Sequence, residues 1–277
     1  MIRVMTLADM ETVLGWAQDE GWNPGLEDAA AYLAADPSGF LVNEQAGRPV
    51  AAVSVVNHTD NFAFLGLYLC HPEYRGRGFG YETWLAGLEH AGDRTIGLDG
   101  VPAQQANYRK SGFDMSGKTF RYEGRIPPIR CDAITPPRDK ESNLLVHRYE
   151  EAFGYSMPTF LTHWFSDTKN RRTFILRDGS LLRGAVTIRR CAEGCKAGPL
   201  FATTAEEAKL LLAHGASVFG VDQITIDIPD TQSLPSEFER ISGLACSFTT
   251  ARMYRGTPPS PETSFAGLVS TATLELG

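Results

Sequence analysis

The residues best placed to do chemistry form the run Cys70-His71-Pro72-Glu73-Tyr74-Arg75-Gly76-Arg77-Gly78-Phe79-Gly80. Before it, Phe62 to Leu69 is rich in aromatic and aliphatic side chains and reads as a strand. After it, Trp84, Leu85, Leu88 and Ala91 fall at helical spacing. A strand that ends in glycines and opens into a helix leaves backbone N–H groups pointing into open space. Those donors, with the positive end of the helix dipole, make a socket for a phosphate or pyrophosphate. Glycines also serve simply to permit a tight turn, so the loop alone leaves both readings open. No Gly-Lys-Ser/Thr closes it as in a P-loop. The spacing and the preceding hairpins do not suit a dinucleotide-binding fingerprint either.

Downstream lies a second segment, Asn107-Tyr108-Arg109-Lys110-Ser111-Gly112-Phe113, with one predicted strand, Thr95 to Asp99, between the two. Together the segments resemble the GNAT superfamily of acyl-CoA-dependent N-acetyltransferases. In that family an R-x-x-G-x-G/A loop binds the coenzyme A pyrophosphate and a later Y-x-K-x-G-F segment closes the site. The resemblance covers residues 1 to about 124. It implies that the backbone of Arg75, Gly76, Arg77, Gly78, Phe79 and Gly80 cradles the pyrophosphate of acetyl-CoA, with Arg75 or Arg77 adding charge. It also implies that Leu69 and Cys70 offer backbone groups to the pantetheine and the thioester, and that Asn107, Tyr108 and Lys110 close the cofactor site. Tyr108 becomes the candidate general acid for the leaving thiolate; the plain alternative is a helix tyrosine with its hydroxyl at the surface. Asn107 and Val101 depart from the family's usual residues. Cys70 reads better as a small apolar side chain than as a nucleophile.

An acceptor amine must also lose a proton. With a pKa near 10, only about one part in a thousand is neutral at pH 7, a cost of about 4 kcal/mol that a carboxylate or water chain helps to supply. Asp99, at the end of its strand, and Glu20, beside the first inter-helix loop, are the candidate bases; each equally suits a cap or a salt bridge. Trp22 and Asn23 are expected to shape the acceptor pocket, though a Trp between helices is often core.

Composition narrows the field. A net charge of −7 disfavours nucleic acid as a partner. A hydrophobic fraction of 43% and a charged fraction of 21% are those of an ordinary globular protein, and no apolar run approaches a membrane span. Five scattered cysteines do not make a disulfide framework, and Cys191 and Cys195 lack the further ligands of a metal site. The N-terminus runs into a capped helix without a secretory pattern, so a cytoplasmic location is expected, with a homodimer compatible.

The first half reads β-α-α-β-β-β-α-β-α-β-β: Thr6 and Asp9 as a capping box, helices after Thr6 and over Leu26 to Leu33, and strands at Phe40 to Val42, Val50 to Val56, Phe62 to Leu69 and Thr95 to Asp99. A helix from Pro102 and two closing strands, Phe113 to Met115 and Thr119 to Glu123, complete it. The fold class is α/β (α+β), a mixed sheet with helices on both faces. The second half echoes the first. Gly198 to Ala202 with helix Ala205 to His214, Gln223 to Asp227, helix Leu234 to Ser242, and Gly243-Leu244 through Met253-Tyr254-Arg255 repeat its order. Two GNAT-like copies are therefore expected: residues 1–126 catalytic, a Pro-rich linker over 127–140, and a degenerate copy over 141–277. Residues such as Glu20 to Gly25, Leu98 to Val101, Gly198-Pro199-Leu200 and the terminal Leu274-Glu275-Leu276-Gly277 are similar to a two-domain branch of the superfamily. In the second copy Phe201 to Ala205 is too short to wrap a pyrophosphate, and that copy is expected to wall the acceptor cleft. The chemistry implied is direct transfer from acetyl-CoA to the primary amine of a small molecule. A protein Lys or N-terminal acetyltransferase and a non-catalytic coenzyme A sensor are the alternatives.

Overall fold

The computed structural model describes residues 1–138, 140–230, 235–261 and 267–277. A short strand β1 (Ile2–Val4) leads to Thr6, whose hydroxyl accepts from the Asp9 N–H while the Asp9 carboxylate accepts from the Thr6 N–H. This capping box starts α1 (Leu7–Asp19), which buries Met10, Val13 and Ala17 on one stripe. Then come α2 (Asp28–Ala35), the strands β2 (Phe40–Gln45), β3 (Arg48–Asn57) and β4 (Phe62–Cys70), helix α3 (Phe79–Ala91) and β5 (Thr95–Gly100). Pro102 opens a single 3-10 turn before α4 (Gln105–Lys110). The expected pair of closing strands is one strand, β6 (Asp114–Arg125), held unbroken because it finds partners along both edges.

The second half contains β7 (Ile134–Thr135), α5 (Glu141–Phe153), α6 (Pro158–Trp164), β8 (Arg171–Asp178), β9 (Leu181–Arg190), β10 (Cys195–Ala202), α7 (Ala205–Phe219), β11 (Gln223–Pro229), α8 (Pro235–Ser242), β12 (Ala245–Arg255) and β13 (Leu268–Val269). Leu234, the expected start of α8, lies outside the described residues.

All strands belong to one mixed sheet in the order β1-β2-β3-β4-β5-β12-β6-β11-β10-β9-β8-β7, with β13 beside β10. The sheet does not break at residue 126, because the halves exchange strands β6 and β12. β12, from the second half, pairs with β5; β6, from the first, pairs with β11; and β12 and β6 pair with each other. The internal echo is visible in the one parallel contact of each half. β4 runs parallel to β5 from Phe62↔Thr95 to Leu65↔Leu98, and β10 to β11 from Cys195↔Ile224 to Ala197↔Ile226. Beyond those pairs each couple of strands spreads into a V.

The V of the second half is filled by the chain's own end. The Ser270 N–H donates to the Leu200 carbonyl on β10, and the Thr271 N–H to the Asp227 carbonyl on β11. The same segment then crosses to the first half, where Glu275 packs against Gly66 at the mouth of the other V. One apolar core lies between the halves and joins Tyr32, Phe64, Tyr149, Phe160, Trp164, Phe201 and Leu276; separate cores lie under α3 and α7.

Candidate active site

The first V opens because β4 is irregular. Leu67 has φ 43°, left-handed for a β-strand residue, and the β3–β4 register shifts between Ala52↔Leu69 and Ser54↔Gly66. Such a bulge bends the strand away from β5. The Val50 carbonyl accepts from the His71 N–H, so alternation along the antiparallel pair assigns the N–H and C=O of Leu69 to Ala52. Those of Cys70 face the gap instead. Leu69 therefore lacks the free backbone groups expected of it. The Cys70 carbonyl already accepts from Arg75 Nε at 2.9 Å. Burial raises the Cys70 thiol above its ordinary pKa, against the opposing pull of Arg75, which suits an apolar filler rather than a nucleophile.

The glycine loop has the geometry of a cradle. Gly76 and Gly78 have φ of 73° and 89°, a conformation that costs glycine little, and a Cβ on either would meet open space. Gly78 caps α3 without a side-chain bond, and the first helical bond runs from the Glu82 N–H to the Gly78 carbonyl. The N–H groups of Phe79, Gly80 and Tyr81 thus have no intrahelical acceptor and stand at the positive end of the helix. Arg75 ion-pairs with Glu20 at the rim, and the Arg77 guanidinium lies 5.2 Å from the ring centres of both Tyr74 and Phe79.

Two adjoining cavities lie beside β4. The outer one is lined by Glu20, Leu69, Cys70, Tyr74, Arg75, Gly76, Gly78 and Gly80 among others. The inner one is lined by Leu65, Gly66, Leu67, Leu98, Asp99, Tyr108, Arg121, Phe248, Thr250, Leu274 and Glu275. Trp22, Tyr68, Val101 and Gln104 line both. Asn107 and Lys110 face a neighbouring groove that Tyr68, Tyr81, Gln104 and Tyr108 also line, and Asn107 Nδ2 donates to Gln104 Oε1 at 2.8 Å. Tyr108 is buried, stacked on Trp84 with ring centres 5.4 Å apart. Burial and the nearby Tyr68 hydroxyl push its pKa well above the ordinary phenol value, so it carries its proton at neutral pH, as a general acid must.

Three expectations need correction. Asp99 is fully enclosed and its carboxylate is saturated: Arg252 donates through Nη2 at 2.7 Å and Nε at 3.2 Å, Thr119 at 2.9 Å and Thr250 at 3.2 Å. A carboxylate so occupied holds strands together and is not a free base. Glu20 stands at the outer rim, paired with Arg75, and does not line the inner cavity with Tyr108. Asn23 does not line either cavity; its side chain donates to the Glu193 carbonyl at 2.7 Å and accepts from the Glu193 N–H at 3.2 Å, clasping the two halves. Trp22 does line the cavity, and its carbonyl accepts from the buried Lys196 Nζ at 2.6 Å.

The carboxylate that sequence reasoning missed is Glu275. It is buried, and its Oε2 accepts from the Tyr32 hydroxyl at 3.2 Å and from Thr273. The segment Leu274 to Gly277 was visible as a family marker, but no local pattern assigns it a place beside β4. Among the described residues, no cluster of three or more His, Cys, Asp or Glu side chains is gathered as a metal site requires, and no helix is long and apolar enough to cross a membrane.

Among the described residues, the second half offers no matching cradle. At the start of α7, Thr204 and Glu207 form a capping box, and the Glu207 carboxylate accepts from Thr203 and Thr204. An acidic side chain therefore occupies the place where an anion would bind, and the adjoining V is filled by residues 270–271.

A V-shaped opening between parallel strands, closed by a glycine-rich turn into a helix, defines an acyltransferase of the GNAT class. The profile of the Acetyltransferase (GNAT) family matches residues 4–113, and that of an Acetyltransferase (GNAT) domain matches residues 146–265. The chain is 34% identical over 280 residues to the holothin acyltransferase of Pseudoalteromonas sp. (strain SANK 73390), covering 98% of this chain and 92% of that one. Among solved structures, a putative acetyltransferase from Pyrococcus horikoshii superposes with a TM-score of 0.80 at 22% identity, covering 100% of this chain and 95% of that one. A tandem GNAT protein from the clavulanic acid biosynthesis pathway superposes with a TM-score of 0.61 at 14% identity, over 95% and 99% of the two chains. The chain belongs to the GNAT acetyltransferase family and is an acyltransferase with two GNAT domains.

Proposed function

We propose that the protein transfers the acetyl group of acetyl-CoA to the primary amine of a small molecule, by direct attack with both substrates bound. The observation that carries this reading is the pair of adjoining cavities. The outer one is bordered by a phosphate cradle, while the inner one is lined by Tyr108 and by residues of both halves. The N–H groups from Gly76 to Tyr81 would hold the pyrophosphate, and the backbone of Cys70 would meet the pantetheine in the gap beside β5. The donor supplies an activated thioester. Tyr108, protonated and buried on the wall of the inner cavity, gives its proton to the departing sulfur. Cys70 keeps its thiol proton, which supports direct transfer over a covalent acyl-cysteine.

Phe248, Thr250 and Leu274 wall the inner cavity from the side of the second half, which favours a small acceptor over a protein lysine, which needs an open groove. The acyl transfer named for the Pseudoalteromonas relative supports turnover over a purely sensing role. The test is calorimetric titration with acetyl-CoA, followed by thiol release with a panel of small amines and of Lys-containing peptides. Expected are saturable acetyl-CoA binding and release with a small amine but not with peptides. Absence of acetyl-CoA binding sinks the cofactor assignment, and faster release with peptides sinks the small-acceptor assignment.

A further inference from the structure

We propose that Glu275 receives the ammonium group of the acceptor and takes its proton, so that the second half supplies the base for the site on the first. The proposal rests on the acyl-transfer reading above and extends it to a particular residue. The inner cavity contains two carboxylate-bearing residues, Asp99 and Glu275. Asp99 is consumed by Arg252, Thr119 and Thr250. In Glu275 the hydrogen bonds from Tyr32 and Thr273 both fall on Oε2. Oε1 neither makes a hydrogen bond nor counts among the enclosed, unpartnered polar atoms of the described residues, so it opens onto the cavity it lines.

Its position is fixed firmly. A Cβ built on Gly66 would stand 2.1 Å from the Glu275 carbonyl oxygen, so this glycine lets the segment lie directly on β4 where it parts from β5. Upstream, Ser270 and Thr271 are bonded to both strands of the second V. The segment is thus anchored in one V and presents a carboxylate at the other. Charged and titratable groups around Glu275 are Tyr32 on α2, Arg121 on β6, Arg189 on β9 and Lys196 on β10, with Asp99 and Tyr108 elsewhere on the cavity wall. Arg121 is neutralised by Asp227 through two bonds, and Arg189 by Asp28. Lys196 Nζ donates a hydrogen bond to the Trp22 carbonyl. Arg121, Gln104 and Thr250 also reach the inner wall, and its apolar part comes from Trp22, Leu65, Leu98, Phe248 and Leu274. The chemistry this recognises is a compact amine, charged at one end and apolar in its body.

The protons balance as follows. The ammonium passes one proton to Glu275, which later releases it to solvent. The freed nitrogen lone pair forms the C–N bond at the thioester carbonyl, and the C–S bond breaks. Tyr108 protonates the sulfur, and the second proton leaving nitrogen restores the Tyr108 hydroxyl.

Benzylamine and its neutral isostere benzyl alcohol are the probes, titrated into the full chain saturated with coenzyme A. Wild type is expected to bind benzylamine about tenfold or more tightly than the alcohol, and Glu275→Gln to lose that preference while keeping its acetyl-CoA affinity. With any amine that the wild type acetylates, Glu275→Gln should lower kcat/KM about 100-fold. An equal affinity of wild type for both probes, binding of neither, or a Glu275→Gln variant with the wild-type preference overturns the proposal. If the variant does not fold, the wild-type comparison decides alone. Failure of acetyl-CoA binding or of all thiol release instead strikes the acyl-transfer reading.

Discussion

Asp99 and Arg252 bond across the seam between the halves: the acid sits on β5 of the first, the base on β12 of the second, and both are buried. The guanidinium also lies 5.1 Å from the centre of the Phe64 ring and donates to the Tyr155 hydroxyl at 3.3 Å. An ion pair in this position makes the exchanged strands depend on each other.

Removing one partner of such a pair leaves an uncompensated buried charge. Arg252→Ala is therefore expected to destabilise the protein by about 3–5 kcal/mol, read from urea unfolding. A loss below about 1 kcal/mol would show that Asp99 is satisfied without it.

Tyr108→Phe removes the proton donor and keeps the ring stacked on Trp84. The rate of thiol release should fall about 100-fold while acetyl-CoA affinity stays within about twofold. An unchanged rate takes Tyr108 out of the mechanism.

Gly78→Val places a β-branched residue at φ 89° and at the head of α3. The strain is about 1–2 kcal/mol, and relief of it must turn the loop N–H groups out of register. Calorimetry should show acetyl-CoA binding weakened about tenfold or more. Retained affinity means that the pyrophosphate sits elsewhere.

Gly66→Ala forces the terminal segment off β4, because the new methyl would overlap the Glu275 carbonyl. We expect a stability cost of about 1–3 kcal/mol and a drop in acyl transfer, with acetyl-CoA binding retained since the loop is untouched. Full activity in this variant would mean that the segment's contact with β4 is dispensable.

His58 makes stability depend on pH. Its Nε2 is 2.9 Å from the Leu276 carbonyl, and burial pulls its pKa down from 6.5 to about 4. Between those values the unfolded chain binds the proton and the folded chain does not, so stability rises with pH. The contribution is complete above about pH 6.5 and is lost as pH falls toward 4. Because the ring is partly exposed, about 1–2 kcal/mol is expected between pH 7 and pH 5 by urea unfolding. A His58→Gln variant should lack that component; an identical pH slope would assign the effect to other groups.

The glycine-rich turn was legible in the sequence because it is made of consecutive residues. Arg75 to Gly80 specify the turn, the positive φ angles and the helix head by their own types, whatever packs around them. Tyr108 was legible for a similar reason, being fixed by a short segment that ends at Gly112. Capping at Thr6 and Thr204 is equally local. Asp99, Glu20 and Asn23 were misassigned because their side chains are claimed by partners far along the chain. Arg252, Arg75 and Glu193 respectively take them, and no spacing encodes those bonds.

By itself, then, the sequence determined the two copies, most of their helices and strands and the glycine-rich turn at the head of α3, because turns, caps and periodicity are set by near neighbours. Only the tertiary structure decided that the copies exchange strands β6 and β12, that the terminal segment fills one V and reaches into the other, and that Glu275 and not Glu20 lines the inner cavity. Those outcomes depend on hydrogen bonds and close packing between segments far apart along the chain. Gly66 against Glu275 is the plainest instance: a missing methyl group on one strand makes room for a backbone more than two hundred residues further along the chain.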